Sequence, residues 1–372
     1  MYDVQDESSR TDVKRPFRYR ELMDPSWFAG ELTRKSNKQC VVYKAAPCMA
    51  SPAAFEAWLD QCVERDRITA VNVVGAPSSA GAHSGPTTKE ASAIVQRRKG
   101  VHFGGVCIAE RHVTKKCEHV ILDKKSKWGA DWFITQGIYD PEPMISVIKE
   151  YGALCREQGT QPKKIILTFT PCGRRKTMDF IKWLGMQVTE EAERAIFGDE
   201  AGEAKAGEAK AGEAKVEGKA KAAKAAKPKP KRRVKTPLER SCDLMCANLT
   251  RILDECHGSG VPLGLNVESV SGYRDEIDAT HDLFRALQSI LLDRGPGAGP
   301  WMMAWSRLPS VNKLPSLAVD NRAAIQANRA AIQDNRAAVI GPVAITGGVS
   351  VGLFFVGAAA VGALCAMVGA RR

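Results

Sequence analysis

The sequence predicts an α/β chain built on a parallel sheet with helices outside it. Two observations carry this reading: short β-rich runs alternate with helical patterns along most of the chain, and several of the runs end in polar residues. The β-rich runs are Cys40–Tyr43, Ala70–Val74, Phe103–Ala109, Trp132–Gln136, Ile165–Thr170 and Leu263–Val267. Between them lie helical patterns at Pro52–Arg65, Thr88–Arg98, Thr114–Lys127, Pro143–Gln158, Arg175–Leu184, Leu238–His257 and Asp275–Leu292. The polar strand ends are Glu110-Arg111-His112, Thr135-Gln136, Thr168 and Thr170, and Asn266-Glu268-Ser269. In barrels of parallel strands the carboxyl ends carry the chemistry, so these residues are site candidates, although polar strand ends are common in any α/β protein.

At 372 residues the chain has room for one large domain with appendages or for two ordinary ones. Its 44% hydrophobic and 26% charged residues exclude a fully disordered chain and a polytopic membrane protein. The net charge of +12 is uneven. Between Asp199 and Lys235 there are 12 Lys/Arg against 6 Asp/Glu, which places +6 in that stretch. The remainder is too dilute for a nucleic-acid surface, and no zinc-finger, basic-zipper or aromatic RNP pattern accompanies it. The charged stretch repeats AGEAK three times from Ala201 to Lys215 and ends in KPKPKRRVK, Lys227–Lys235. It cannot bury apolar area and reads as a solvated insert, or a touch to anionic lipid, over residues 198–235. The 11 cysteines are odd in number and scattered, so they are expected as reduced thiols. Cys242, Cys246 and Cys256-His257 have helical spacing without a matching second pair, and no metal site is expected there. The N-terminal residues contain no apolar h-region, which argues against a secretory leader.

The carboxyl end changes character. From Ala337 to Ala370 there are 34 residues without a charge, flanked by Arg336 and by Arg371-Arg372, which is enough to cross a bilayer. A transmembrane helix over 339–370 is expected, tail-anchored with the body in the cytoplasm. Before it, DNRAAIQ, ANRAAIQ and DNRAAVI repeat with a period of seven. Ala318, Ile325, Ile332 and Val339 fall at position a and Asn321, Asn328 and Asn335 at d, the pattern of a coiled coil. The seam resembles the Ile-and-Asn stalks of trimeric adhesins, so residues 317–338 are read as a homotrimeric stalk. An Ala-rich single helix is the plainer alternative.

Four blocks then carry a family resemblance: GGVCIAERH (Gly104–His112), GADWFITQGIYD (Gly129–Asp140), ILTFTPCGRRKTMDFIKWLGM (Ile166–Met186) and GVPLGLNVESVS (Gly260–Ser271). In this order they resemble the methylenetetrahydrofolate reductase family, and particularly its short bacterial-type branch. The resemblance implies a TIM-type (β/α) barrel over 38–197 and 236–295 that holds FAD, takes reducing equivalents from NAD(P)H and passes hydride to the methylene carbon of 5,10-methylenetetrahydrofolate. An N-terminal extension over 1–37 and a linker over 296–316 complete the expected organisation. Six strands are recognisable where a full barrel has eight; Phe28–Leu32 and Trp301–Trp305 are the stretches left to supply the others.

Carried over by position, Gln136 matches the glutamine that hydrogen-bonds the folate pterin, a task suited to an amide that both donates and accepts. The plainer reading of Gln136 is an amide capping a strand end. Asn266, also at a strand end, is read with it as substrate-binding. His112 matches a histidine against the flavin, Glu118 an acid that contacts the cofactor, and Lys124 and Lys125 a basic pair that meets the diphosphate. A solvated basic helix face is the plainer reading of the two lysines.

Two departures bear on function. The acid that helps open the methylene bridge is replaced by Lys44 in VVYKAAP, and the aspartate beside the isoalloxazine by Ala76. A functional reductase would then draw its acid from Glu110 or Glu268, each at a strand end, with a pKa raised by burial. The alternatives are a folate- or nucleotide-binding barrel that has lost redox chemistry and serves as a regulator, and a scaffold head displayed on the stalk.

Overall fold

Six strands pair side by side in chain order, all parallel: β1 (Val41–Ala45), β2 (Ala70–Val74), β3 (His102–Cys107), β4 (Trp132–Gly137), β5 (Lys164–Phe169) and β6 (Leu263–Ser269). A computed structural model describes residues 3–6, 11–20, 22–76, 83–198, 234–293 and the pair 355–356. The sheet curls into a half-barrel. Its strand order is linear from β1 onward and the six strands are those recognisable in the sequence, so a closed eight-strand barrel is not formed among the described residues. The chain between β1 and β2 is taken up by a 3-10 turn, Ala46–Cys48, and by helix α2 (Pro52–Glu64), which leaves no length there for another strand. Phe28–Leu32, expected as a possible strand, lies inside helix α1 (Pro25–Ser36). Asp24 caps that helix, its Oδ1 accepting from the Ser26 N–H at 2.8 Å, with Pro25 at the first helical position.

Strand alternation sorts the side chains onto two faces. Val42, Val71, Phe103, Phe133, Ile165 and Leu167 enter the main core, which they share with residues of the outer helices such as Leu59, Val95, Leu122, Ile148 and Leu249. Each such side chain contributes about 1.5–3 kcal/mol by leaving water. The other face is concave and holds Tyr43 and Ile134 with Val41, Val74, Trp132 and Ile166.

The helices follow their local signals. Helix α3 (Thr88–Gln96) starts in a capping box between Thr87 and Glu90, and the crossover helix α9 (Pro237–Glu255) in one between Thr236 and Glu239. The predicted helix Thr114–Lys127 is two helices. Helix α4 (Ala109–Lys115) ends where Lys116 turns left-handed at φ 47°, and α5 (Glu118–Lys127) follows. Strand β3 therefore stops at Cys107, and Glu110 and His112 stand on α4 rather than on a strand end. Helix α6 (Glu142–Glu157) packs against both α4 and α5. After β5 come α7 (Arg175–Trp183) and a helix not read from sequence, α8 (Glu190–Phe197), capped by Thr189. Helix α10 (Arg274–Asp293) follows β6.

The N-terminal extension makes contacts with this frame. Trp183 Nε1 donates to the Val13 carbonyl at 2.9 Å, and the Arg15 guanidinium lies 5.1 and 5.3 Å from the ring centres of Trp183 and Phe180. Residues 199–233 of the predicted insert, the linker, Trp301–Trp305 and the heptad stalk lie outside the described residues. Of the predicted span 339–370, only Phe355 and Val356 are described, as a short strand β7 (Phe355–Val356) parallel to Glu268–Ser269. No helix among the described residues is long and apolar enough to cross a membrane.

Candidate functional site

An irregularity at the end of β4 makes the site. Ile134 pairs with Ile166, but the next pairing joins Gly137 to Thr168, so β4 carries one residue more than β5 over that step. The extra residue releases Thr135 and Gln136 from the ladder with β5, while Thr135 stays paired with Cys107 of β3. Thr135 Oγ accepts from the Thr168 N–H at 2.9 Å and donates to the Gln136 carbonyl at 2.8 Å, which fixes the bulge. Gln136 is left half-buried at the rim, its amide 3.5 Å from the Leu184 carbonyl.

Gln136 lines a small cleft together with Glu110, Gly137, Tyr139, Met144 and Gln187. The wall behind it is firm: Tyr139 is buried and its hydroxyl donates to the Thr170 carbonyl at 2.6 Å. Glu110 stands in the first turn of α4, where the helix N-terminus favours a negative charge. Burial nevertheless pushes its carboxyl above the ordinary range, against the backbone N–H donors of Glu110 and Gln187 and with the nearby Glu118 charge acting in the same direction as burial. The cleft thus joins an amide that can read a polar ring edge to a carboxyl group able to hold a proton.

The other expected acid belongs to a separate group. Asn266 and Glu268, two residues apart on β6, share a face and are both buried. The Asn266 amide donates to Thr168 Oγ at 3.2 Å and to Glu268 Oε2 at 3.4 Å. Neither Asn266 nor Glu268 lines the cleft of Gln136 and Glu110.

The four residues carried over for the cofactor do not form one surface. Glu118 is wholly buried, accepting from the Ile108 N–H at 2.9 Å with Arg111 3.4 Å away. Lys125 is buried too and donates to the Val106 carbonyl, while its neighbour Lys124 is exposed. Burial raises the Glu118 carboxyl and depresses the Lys125 ammonium, and the two opposite charges partly offset this for each other. Consecutive helical residues point about 100° apart, which is why this lysine pair splits between core and solvent. His112 is 1% exposed, and its Nε2 meets Glu150 of α6 at 3.0 Å. With three of the four groups committed inside the protein, these residues do not fit a flavin diphosphate.

Lys44 is also placed away from the mouth. It shares a face with Val42 rather than with Tyr43, and its ammonium lies 3.4 Å from Asp3, 3.6 Å from Asp24 and 5.2 Å from the ring centre of Trp58. Sequence reading passed over a row on the concave face, where the register runs Tyr43, Asn72, Gly104, Trp132 across β1 to β4. Asn72 is fully buried, and neither its amide atoms nor Trp132 Nε1 has a hydrogen-bond partner among the described residues. The signal was available: an asparagine between valines in a strand interior is a polar group in need of a partner.

A scan of protein-family models finds no match to the chain, and no curated protein matches it. Among solved structures it is similar to an uncharacterized protein from Clostridium thermocellum that binds two copies of 5-methyl-5,6,7,8-tetrahydrofolic acid. The two are 23% identical with a TM-score of 0.55, over 73% of this chain and 79% of that one, and this likeness shows a shared fold.

Proposed function

We propose that the mouth of the half-barrel binds a reduced folate and that the chain is a methylenetetrahydrofolate reductase-like oxidoreductase of one-carbon metabolism. The observation that carries the reading is the shared cleft of Gln136 and Glu110, an amide suited to a pterin edge beside a carboxyl that burial keeps protonated to higher pH. The ligand of the solved structure with the same fold supports the substrate class. Gln136 would orient the pterin. Glu110 would give its proton to the folate nitrogen released as the methylene bridge opens, while hydride from NAD(P)H reduces the methylene carbon to the methyl group of 5-methyltetrahydrofolate. FAD, where the family uses it, relays that hydride; the residues carried over for it do not fit it here, and no step is assigned to it.

That misfit favours a second reading, a barrel that binds folate without redox turnover and acts as a regulator or scaffold. The tail-anchored, cytoplasmic placement and the trimer are proposals that rest on residues 317–370 alone. The deciding experiment follows NAD(P)H oxidation by the purified chain with 5,10-methylenetetrahydrofolate, with and without added FAD, alongside titration with 5-methyltetrahydrofolate. Folate-dependent oxidation supports the reductase; binding without oxidation supports the second reading; absence of binding by a folded chain removes both.

A further inference from the structure

On the outer side of the sheet, three helices bring two imidazoles and a carboxylate to one point. His112 of α4, His119 of α5 and Glu150 of α6 each offer one ligand atom, all within 4.8 Å of one another. His112 Nε2 is 3.0 Å from one Glu150 oxygen and His119 Nδ1 is 3.2 Å from the other, and the two rings meet edge to face with centres 5.3 Å apart. Ligands at about 2.0–2.2 Å from a tetrahedral ion stand roughly 3.3 Å from each other; the two nitrogen–oxygen separations, one to each carboxylate oxygen, are in that range, so a small rearrangement of the three side chains would suffice to enclose an ion.

A hydrogen bond joins His112 Nε2 to Glu150, but it leaves His112 Nδ1 buried without a hydrogen-bond partner among the described residues and does not account for His119. The His119 Nδ1 atom is buried and has no hydrogen-bond partner among the described residues, even though the Glu150 oxygen is near. Its in-plane direction therefore does not aim at that oxygen. A buried ring nitrogen that makes no hydrogen bond and lies 3.2 Å from a carboxylate oxygen is a ligand atom left available to a cation. The Ser146 hydroxyl donates to Glu150 Oε1 at 2.9 Å, the kind of outer contact that orients a ligating carboxylate. The side chains of His119 and Glu150 are 18% and 39% exposed, so water has access to complete the coordination.

We infer that His112, His119 and Glu150 form a binding site for a divalent first-row transition metal ion, Zn²⁺ being the ion that two imidazoles, one carboxylate and water suit best. The ion would tie α4, α5 and α6 together. Helix α4 carries Glu110 and α6 carries Met144, both in the walls of the cleft, so the ion would also stiffen that cleft from outside. The inference does not depend on what the cleft binds.

The test uses the full chain stripped with a chelator and titrated with Zn²⁺ against a chromogenic competitor, with Co²⁺ as a spectroscopic probe. One tight equivalent is expected, with Co²⁺ ligand-field bands and no sulfur-to-metal charge transfer, together with a higher thermal midpoint in the presence of Zn²⁺. His119→Ala and Glu150→Gln are each expected to weaken this binding by about tenfold or more while keeping the metal-free thermal midpoint near that of the parent. Both positions are partly open to solvent, so the variants should fold, whereas the buried His112 is the poorer choice. Absence of a tight equivalent in the parent chain, retention of it in either variant, or thiolate charge-transfer bands that assign the ion to cysteines would each overturn the site.

Discussion

The Lys44 ammonium lies 3.4 Å from the Asp3 carboxylate, on the side of β1 that faces away from the concave mouth. The family resemblance sets this lysine where the reductases have an acid, which suggests that a carboxylate there would restore chemistry. The geometry says otherwise. Lys44→Glu would set a third carboxylate beside Asp3 and Asp24 in a largely buried position and is expected to cost about 3 kcal/mol or more of stability. It should confer no gain in folate-dependent NAD(P)H oxidation; a gain would show that β1 turns its other face to the substrate.

Glu110 supplies a prediction with a definite sign in pH. Its carboxyl is held above the ordinary value of 4.5, chiefly by burial, so the folded chain keeps this proton at a pH where the unfolded chain has released it. The favourable contribution of this group is complete below the unfolded value and is lost as pH rises through the folded one. Glu110→Gln has no such loss. Urea unfolding at a series of pH values should therefore show the variant gaining on the parent across that window, with a constant difference above it. In the reductase reading, the same substitution should lower turnover by roughly 10²–10⁴-fold and remove the alkaline limb assigned to this acid. A stability difference that does not vary with pH would mean that Glu110 is not perturbed.

How much of this was legible in the chain is seen by comparing particular residues. The six strands and the parallel order follow from composition and alternation, because local preference and tertiary packing agree there. Gln136 was legible as a strand-end amide, but the bulge that frees it was not, since Gly137 was the one bulge signal there and a glycine ends many strands without a slipped register. The cofactor contacts that the family resemblance implies at Glu118 and Lys125 were carried over by position, which gives a side chain's charge and not its direction; the interior of a βα layer holds both groups. His119 and Glu150 could not be paired from sequence at all, as they meet only once α5 and α6 are packed.

Gly104 tests the concave row. A Cβ there would overlap the partly buried Trp132 indole and crowd the amide oxygen of the buried Asn72. A rigid ring cannot yield as the end of a flexible side chain does. Gly104→Ala is expected to destabilise the fold by about 1–3 kcal/mol, read as a lower urea midpoint with the denaturant slope unchanged. An unchanged midpoint would show that the indole has room to swing out of the row.

Gln136 is the residue on which the folate reading turns. It sits at the rim beyond the bulge, half-buried, with one long hydrogen bond to the Leu184 carbonyl, so little of the fold depends on it. Gln136→Ala should leave the unfolding midpoint within about 0.5 kcal/mol of the parent, as expected away from the core. A hydrogen-bonded ligand edge would lose about 1–2 kcal/mol, which weakens 5-methyltetrahydrofolate binding roughly tenfold. Gln136→Glu separates the two roles of the amide, because a carboxylate still accepts but no longer donates. If the pterin is read through both, the glutamate variant should bind as weakly as the alanine variant. If only the acceptor matters, it should bind nearly as well as the parent. Unchanged affinity in both variants would take Gln136 out of the site and, with it, the observation on which the folate-binding cleft is built.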